Sequence, residues 1–285
     1  MREITETKEI MGIELNILKE IHQFCVSNNI KYFLWGGTLL GAIRHNGFIP
    51  WDDDVDVAMF QKDFDVLKLH ADELWPEGSD FKLVCPGNIG KSAFLDFMNR
   101  LMYMAEPVET NTFSKAFGKA DDFVEDKISL DIYVMNNAAP TDEQQARHAK
   151  IMQLVYGLGM GHRAFVDFNT YKKFSKFTQF VVRISSTIGK IVPLKFIIWL
   201  HEKLARKYDS NETDSCFESN GYSMYKRYSK SIFGDGRRIS FYEKDVLVPE
   251  KTEDYLKIHN YHNYMEYPPV SARRPSHGVK SPDLA

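Results

Sequence analysis

Cysteine is scarce in this chain of 285 residues, and its three copies stand far apart, at Cys25, Cys85 and Cys216. An odd number at such distances fits neither a disulfide framework nor the spacing of a zinc site. We therefore expect three ordinary thiols in a protein of a reducing compartment.

An excess of positive charge is also missing, because 36 Lys and Arg residues face 39 Asp and Glu residues. This balance lacks the basic footprint of a nucleic-acid binder, so no nucleic-acid partner is expected. No uncharged apolar run approaches the ~20 residues that a membrane span needs. The first residues, MREITETKEIMG, are polar and charged, so no secretory signal is expected either. These features predict a cytoplasmic protein and leave open a peripheral position at the inner face of the membrane.

The composition is otherwise ordinary for a globular protein, with 44% hydrophobic and 26% charged residues. The length suggests one large domain or a domain with a substantial insertion. Apolar residues at three- and four-residue steps predict a helix over 8–29, and a second helix is expected around 61–75. The apolar positions of the first helix are Met11, Leu15, Leu18, Ile21 and Cys25.

Four carboxylates, Asp52, Asp53, Asp54 and Asp56, fill five positions directly after a proline and a tryptophan. The run DVDVAMF alternates, which predicts a strand with Asp54 and Asp56 on one face, about 6–7 Å apart. A second alternating run, KISLDIYVM at 127–135, carries Asp131. If the two strands pair, the acids of both could share Mg²⁺, with Mn²⁺ as the alternative, for phosphoryl transfer. One carboxylate could take the proton of an attacking hydroxyl.

The acidic run has two simpler interpretations, a solvated loop and a calcium-binding loop. A solvated loop does not require the alternation with Val55 and Val57. A calcium loop counted from Asp52 would need glycine at its sixth position, which is Val57 here. The spacing therefore favours metal-dependent chemistry.

A strand predicted over 31–35, KYFLW, runs directly into Gly36, Gly37 and Thr38. Thr38 is expected to cap a helix through LLGAIRH, which Asn46 and its following glycine end. The two glycines allow backbone N–H groups to approach a phosphate, and Thr38 can donate a further hydrogen bond. Because this turn precedes a helix and the acid pair follows shortly, we predict that it binds a donor phosphate.

The stretch YFLWGGTLLGAIRHNGFIPWDDDVDVAM resembles the signature of the LicD family, which includes the fukutin-related proteins and belongs to the nucleotidyltransferase-fold superfamily. In that superfamily a glycine turn precedes two acids on one strand and a third acid on a later strand. Gly36 and Gly37 match the turn, Asp54 and Asp56 match the pair, and Asp131 matches the third acid.

A weaker similarity to the family's closing segment lies in FYEKDVLVPEKTEDYLKIHNYHNYMEYPP. There the family usually has a Tyr-Gly-Asp-Tyr-Met run before a double proline, and this sequence has His262 and Asn263 in place of Gly and Asp. This departure bears on the local turn and not on the metal site.

The resemblance implies an α/β (α+β) fold, with a nucleotidyltransferase-like mixed sheet core flanked by helices. The stretch 150–230 carries no such resemblance, and we expect it to form a helical insertion. It also implies transfer of a phospho-alcohol, typically phosphocholine or ribitol phosphate, from a CDP-linked donor to a sugar hydroxyl of a cell-surface glycan or its lipid-linked precursor. CMP would leave, and Asp131 would serve as base. In bacteria such acceptors are teichoic acids, capsules or lipopolysaccharide.

Basic and aromatic residues close to the acids are candidates for donor binding. Arg44 could bind donor phosphate beside His45, or either residue could pair with the acids or with the end of its helix. Asp52 is a candidate contact to the metal shell or to the acceptor. Trp51 could stack on a base or sugar, although a packed aromatic is the simpler interpretation.

Three further candidates rest on the resemblance. Arg100, in FMNRLMYM, could hold phosphate or could be a plain surface arginine. Arg273 and His277, in SARRPSHG, could fold back over the donor or could belong to a frayed tail.

The segment 172–207 differs from the rest of the chain, with nine basic residues against Glu202 as its only acid. It predicts a helical subdomain with a solvated basic face, or a surface that rests on an anionic bilayer. The predicted organisation is a core over 1–150, a mainly helical insertion over 151–232, a return segment over 233–275 and a loose tail over 276–285.

Two other classes of function remain open from the sequence. A glycosyltransferase also uses an Asp-x-Asp pair to hold Mg²⁺ or Mn²⁺ with a nucleotide diphosphate, but its pair normally follows a longer nucleotide-binding region than the 53 residues before Asp54. A non-catalytic nucleotide-binding module would leave the acids idle. Product analysis distinguishes a glycosyltransferase from a phosphotransferase. Asp-to-Ala substitutions distinguish a non-catalytic module from an enzyme.

Overall fold

The computed structural model describes residues 7–87, 94–105, 128–163, 166, 168–221, 223–242 and 244–273. The helices are α1 Thr7–Ser27, α2 Gly36–His45, α3 Gln61–Leu74, α4 Asp142–Gly159, α5 Lys176–Gly189, α6 Leu194–Ala205 and α7 Thr252–Ile258. The strands are β1 Phe33–Leu34, β2 Val55–Phe60, β3 Phe81–Val84, β4 Asn99–Tyr103, β5 Ser129–Asn137, β6 Ser215–Glu218, β7 Tyr228–Ser229, β8 Arg237–Phe241 and β9 Lys244–Val248. The predicted α/β class, a mixed sheet flanked by helices, is confirmed.

The described strands β1 to β7 form one mixed sheet in which β5 is central. The order β1-β2-β5-β4-β3 contains one parallel pair, β2 with β5, and its other pairs are antiparallel. Beyond the end of β4, strand β6 pairs with β5 at Met135–Asn137 and with β7 on its other side. Strands β8 and β9 form a separate hairpin. Strands β6 and β7 lie within 151–232, so the sheet continues into a range that was predicted to be mainly helical.

Alternation along β2 and β5 divides core residues from site residues, as predicted. Val55 and Val57 are buried on β2, and Leu130 and Ile132 are buried on β5. The residues between them on each strand are partly exposed. Because successive strand side chains point to opposite faces, this burial fixes the direction of the acidic side chains.

Helix α1 matches the helix predicted over 8–29, and three of the five predicted apolar positions, Leu18, Ile21 and Cys25, are buried. It packs against β4 and β5, and its buried stripe includes Ile10, Ile17 and Ile21. Met11 and Leu15 are only partly buried. In the first half of the helix the buried positions therefore precede the predicted ones by one residue, and they include Glu14, which is 1% exposed.

Helix α2 begins at Gly36, two residues before the predicted start, because Trp35 takes the cap position with an extended backbone. The expectation that Thr38 caps this helix is therefore wrong. The end of the helix is as predicted, since Asn46 has a left-handed backbone with φ 54°. Gly41 lets the helix approach the carbonyl of Gly47, which a side chain at that position would strike.

Helices α4, α5 and α6 form a helical layer beside the sheet. The Thr141 side chain caps α4, since it accepts a hydrogen bond from the N–H of Gln144 at 3.2 Å. Ile197 of α6 is buried with Phe94 and Phe97. Among the helices that the structure describes, none has the length and apolar character needed to cross a membrane. The cysteines Cys25, Cys85 and Cys216 are free and buried, as expected.

Candidate active site

The acidic residues of two strands meet where β2 and β5 begin. Asp54 immediately precedes β2, and Asp56 is opposite Asp131 in the parallel register of β2 and β5. In a parallel pair, residues in register that belong to the same face have neighbouring side chains. The predicted pairing of the two acidic strands is therefore confirmed in the backbone.

Negative charge is concentrated at this point, and it affects the pKa values of two of the aspartates. Burial raises the pKa of Asp56 well above its ordinary range, and the nearby Asp54 and Asp131 carboxylates raise it further. Burial, followed by the charges of Asp54 and Asp53, raises the pKa of Asp52 to about 8. The raised pKa values of Asp56 and Asp52 mean that ionisation of these carboxyls is disfavoured, first by burial and then by the negative charges of their neighbours.

Glu14 is a member of this group that sequence reasoning missed. Its side chain lies on the buried face of α1, and Oε2 has no hydrogen-bond partner. Burial raises its pKa well above the ordinary value, and the charges of Asp54 and Asp52 add to the shift. The sequence did indicate an unusual role for this residue. Glu14 lies between Ile10 and Ile17, at a position that a helix of this pattern fills with an apolar residue.

Arg100 links Asp131 to a second carboxylate. Its Nε lies 3.0 Å from Oδ1 of Asp131, and its two terminal nitrogens donate to both oxygens of Asp96 at 2.8 Å. Although burial raises it, the charge and hydrogen bonds of Arg100 hold the pKa of Asp96 below its ordinary value. Arg100 is only 8% exposed, so the interpretation as a plain surface arginine is wrong.

The glycine turn lies directly against the acids. Gly36 has φ +52°, and a Cβ there would stand 2.7 Å from Oδ2 of Asp56. A Cβ on Gly37 would stand 2.6 Å from Oδ2 of Asp52. Thr38 is buried, and its hydroxyl accepts a hydrogen bond from the Asp56 N–H at 2.9 Å. The turn and the acidic strand are therefore held together without room for any side chain at the two glycines.

Tyr255 of α7 supports the turn from behind, a role that sequence reasoning did not assign. Its hydroxyl accepts a hydrogen bond from the Gly36 N–H at 2.9 Å. Its ring packs on Trp35 with centroids 4.3 Å apart, and the Trp35 indole donates to Glu218 at 3.4 Å. The N–H of Gly36 is thus engaged by the protein rather than directed at open solvent.

A basic and aromatic cluster borders the acidic loop at the end of α2. Arg44 donates to the carbonyls of Tyr264 and Glu266, each at 3.1 Å, and its guanidinium stands 5.3 Å from the Tyr267 ring. Arg273 lies over the same ring at 5.4 Å and over the indole of Trp51 at 5.2 Å. The return segment therefore folds back beside the acidic loop as far as Arg273.

His45 belongs to the same cluster, with its ring against Trp51 and Tyr267. Burial, followed by the charge of Arg44, lowers its pKa. His277, the remaining candidate for donor binding, lies outside the described residues.

The predicted metal ligands have suitable chemistry but do not form a complete coordination site. Hard carboxylate oxygens are what Mg²⁺ prefers, and the orphaned Oε2 of Glu14 and the raised pKa of Asp56 mark a place where a cation would be stabilised. Within the described ranges, however, no three His, Cys, Asp or Glu side chains are gathered closely enough to hold a metal ion. Asp131 is ion-paired with Arg100 in this arrangement.

Comparison with known proteins finds similarity in the segment that carries the glycine turn and the acidic strand β2. Residues 29–83 match the family model described as the nucleotidyltransferase domain of LicD, FKTN and FKRP proteins. That segment runs from before the glycine turn through the acidic strand β2 to the beginning of β3. The resemblance to the LicD family is therefore confirmed for this segment.

Individual relatives match short stretches of the chain. The lipopolysaccharide cholinephosphotransferase LicD of Haemophilus influenzae is 50% identical over 64 residues, which cover 22% of this chain and 24% of that protein. The ribitol 5-phosphate transferase FKRP of Homo sapiens is 42% identical over 53 residues, 17% of this chain and 11% of that protein. An uncharacterized protein of Rickettsia prowazekii, RP689, is 41% identical over 61 residues, 21% of each chain. The chain thus spans less than a quarter of the length of each relative.

Proposed function

We propose that this protein is a transferase that moves a phospho-alcohol, phosphocholine or a similar group, from a CDP-linked donor to a hydroxyl of a cell-surface glycan or its precursor. CMP is the leaving group. The observation that carries the proposal is that the LicD match covers the glycine turn and the acids at β2, and that Asp131 of β5 lies in parallel register with Asp56 of that strand. The names of the relatives, a cholinephosphotransferase and a ribitol 5-phosphate transferase, support the class of group transferred.

In the proposed reaction the acceptor hydroxyl oxygen forms a bond to the phosphorus that bears the alcohol. The bond between that phosphorus and the oxygen bridging to CMP breaks, and its electron pair leaves with CMP. Asp131 takes the proton of the hydroxyl. Its ion pair with Arg100 fixes the direction of the carboxylate, since Arg100 is itself clamped by both oxygens of Asp96.

Asp54, Asp56 and Asp131 are the proposed ligands for Mg²⁺, or Mn²⁺, and Glu14 adds negative charge behind them. A bound divalent ion would neutralise the donor phosphates and stabilise the attacking and leaving oxygens. Without it the carboxylates alone would repel a diphosphate. The excess negative charge recorded in the raised pKa of Asp56 supports cation binding at this place.

The donor is proposed to bind between the glycine turn and the basic cluster. Gly37 and Thr38 are proposed to hold one side, where Gly36 permits a close approach although its own N–H is bonded to Tyr255, and Arg44 and Arg273 offer positive charge on the other. His45, Asp52 and His277 complete the proposed donor set. Arg100, which already contacts Asp96 and Asp131, acts in this account by positioning Asp131.

The direct test is incubation with CDP-choline, CDP-ribitol or CDP-glycerol, Mg²⁺ and a glycan acceptor, with CMP measured by chromatography. CMP together with a new phosphodiester supports the proposal. A nucleotide diphosphate released from a nucleotide sugar, with a new glycosidic bond, would assign the protein to the glycosyltransferases instead. Asp54→Ala and Asp56→Ala that leave activity unchanged would contradict a catalytic role, and exposed Asp72 on α3 provides the matched control, Asp72→Ala.

We also propose that the protein acts in the cytoplasm. The three free, buried cysteines support a reducing compartment.

A further inference from the structure

Helix α5 is packed with its small residues inward. Ser185, Ser186 and Gly189 are buried, and the side chain of Ser185 lies against Gly157 of α4. Gly189 in turn approaches the backbone of Leu158 so closely that no side chain would fit. Because these small residues face the protein interior, the opposite face of the helix points away from it.

The outward face of α5 carries large apolar side chains. Phe177 is 74% exposed, Phe180 59%, Ile184 43% and Ile188 46%. Their spacing of three, four and four residues places them in one stripe along the helix. An ordinary surface helix in water buries such a stripe and exposes its small polar residues, so α5 has the reverse arrangement.

The stripe continues into the next helix. Ile191, in the turn between α5 and α6, is 84% exposed, and Phe196 and Trp199 of α6 are 49% and 50% exposed. The rings of Phe196 and Trp199 lie together with centroids 5.5 Å apart. We call the exposed apolar residues of these two helices and their turn the apolar face. Its members are Phe177, Phe180, Ile184, Ile188, Ile191, Phe196 and Trp199.

Positive charge borders the apolar face. Lys176, Arg183, Lys190 and Lys195 are exposed on the same two helices and their turn. The Nζ of Lys203 stands 5.0 Å from the Trp199 ring. From 172 to 207 the sequence has a single acid, Glu202. Such an arrangement of bulky apolar side chains with a basic border complements an anionic lipid surface, in which the rings enter the acyl boundary and the basic groups meet the headgroups.

We propose that α5 and α6 dock this protein on an anionic bilayer through the apolar face. Helix α5 has 14 residues, a length of about 21 Å, and lies in the plane of the interface with its stripe toward the acyl chains. None of the residues of the apolar face belongs to the acidic site, and the proposal goes beyond the proposed transferase activity. A lipid-linked acceptor would then be met at the membrane, and only that consequence rests on the proposed function.

Vesicle flotation of the whole chain, without donor or acceptor, tests the proposal. Vesicles of phosphatidylcholine are compared with vesicles containing about 30% phosphatidylglycerol. We expect binding to the anionic vesicles, weakened by salt because the basic residues are exposed. The double variant Phe177→Ser/Phe180→Ser should lower the partition coefficient roughly tenfold or more. Leu69→Ser is the matched control, since Leu69 is 78% exposed on α3, and it should bind as the unaltered chain does.

A charge variant separates lipid electrostatics from apolar adhesion. Lys190→Glu/Lys195→Glu should lose the preference for anionic vesicles, whereas Lys257→Glu on α7 should retain it. Circular dichroism and thermal unfolding establish that each variant is folded. Equal vesicle binding by the unaltered chain and the double Phe variant would overturn the proposal. The proposal would also be overturned if the chain bound no vesicles and instead formed a dimer, measured by sedimentation equilibrium, that the Phe substitutions abolished.

Discussion

The Nε of Arg100 lies 3.0 Å from Oδ1 of Asp131, and the same guanidinium clamps Asp96 through both terminal nitrogens. This pairing joins the third acid of the site to a buried ion pair on the neighbouring strand. The acidic site is therefore supported from β4, an element for which the sequence pattern made no prediction.

Replacement of Arg100 should cost both stability and activity. Arg100→Met leaves Asp96 buried without its partner, so the free energy of unfolding should fall by about 3–5 kcal/mol. Arg100→Lys keeps the charge but loses the two-pronged contact, and we expect a smaller loss. Urea unfolding measures the free energy of unfolding of both variants. Arg147→Met is the control, because Arg147 pairs with Glu143 at an exposed position, and a loss there equal to that of Arg100→Met would contradict the account.

Gly36→Ala should disable the site with a modest effect on the fold. Its φ of +52° costs an alanine about 1–2 kcal/mol, and the new Cβ would press on Oδ2 of Asp56 at 2.7 Å. Displacement of that carboxylate should lower CMP release roughly tenfold or more. Gly78→Ala has a comparable backbone, φ +88°, with nothing within 4 Å of the Cβ, so it should lose stability and retain activity. Equal activity losses in both variants would argue against the contact with Asp56.

Glu14→Gln should stabilise the metal-free protein at about pH 8, by about 1–3 kcal/mol. The pKa of Glu14 is raised by burial and by the nearby acids, so its ionised form disfavours the folded state. That penalty is absent below the ordinary carboxyl pKa and grows as the pH rises. The gain should therefore shrink at about pH 4, where both states hold the proton. Urea unfolding at the two pH values checks this, with exposed Glu77→Gln as the control. A destabilised variant at pH 8 would contradict it.

His201 should make the protein less stable in mild acid. It is 5% exposed, its ring stacks on Phe97 at 3.7 Å, and burial lowers its pKa to about 3. Because protonation is opposed in the folded state, the stability that neutral His201 provides is complete above its ordinary pKa and declines as the pH falls toward 3. Between about pH 7.5 and pH 5 the loss should be about 2 kcal/mol.

The variant His201→Asn isolates this contribution from those of other titrating groups. Urea unfolding measures the difference in unfolding free energy between the unaltered chain and the variant. This difference should be smaller at about pH 5 than at about pH 7.5, by about 2 kcal/mol. The corresponding difference for His262→Asn, at an exposed position, serves as the comparison. A His201 difference that does not change with pH would contradict the assignment.

Local patterns predicted the parts of this fold that depend on neighbouring residues. The alternation around Asp56 and Asp131 predicted β2 and β5, since burial of one strand face imposes that period. The left-handed end of α2 at Asn46 was predicted for a similar reason, because few residues tolerate that backbone.

The supports of the site depend on contacts between distant segments, which a single sequence does not reveal. Tyr255 reaches the N–H of Gly36 across 219 positions, and nothing in the sequence around it indicates that contact. Glu14 was within reach of prediction, since it interrupts the apolar stripe of α1. It was missed because the predicted stripe passed through Leu15 at this point, whereas the structure buries the preceding residue.

The central claim is that carboxylates from β2 and β5 together hold a divalent ion for phosphoryl transfer. A crystal grown with Mn²⁺ and CMP, and measured at a wavelength where manganese scatters anomalously, tests it directly. The account predicts an anomalous peak within ligand distance of the Asp54 and Asp56 carboxylates, beside Asp131. A peak elsewhere, or these side chains directed away from the bound nucleotide, would contradict the account.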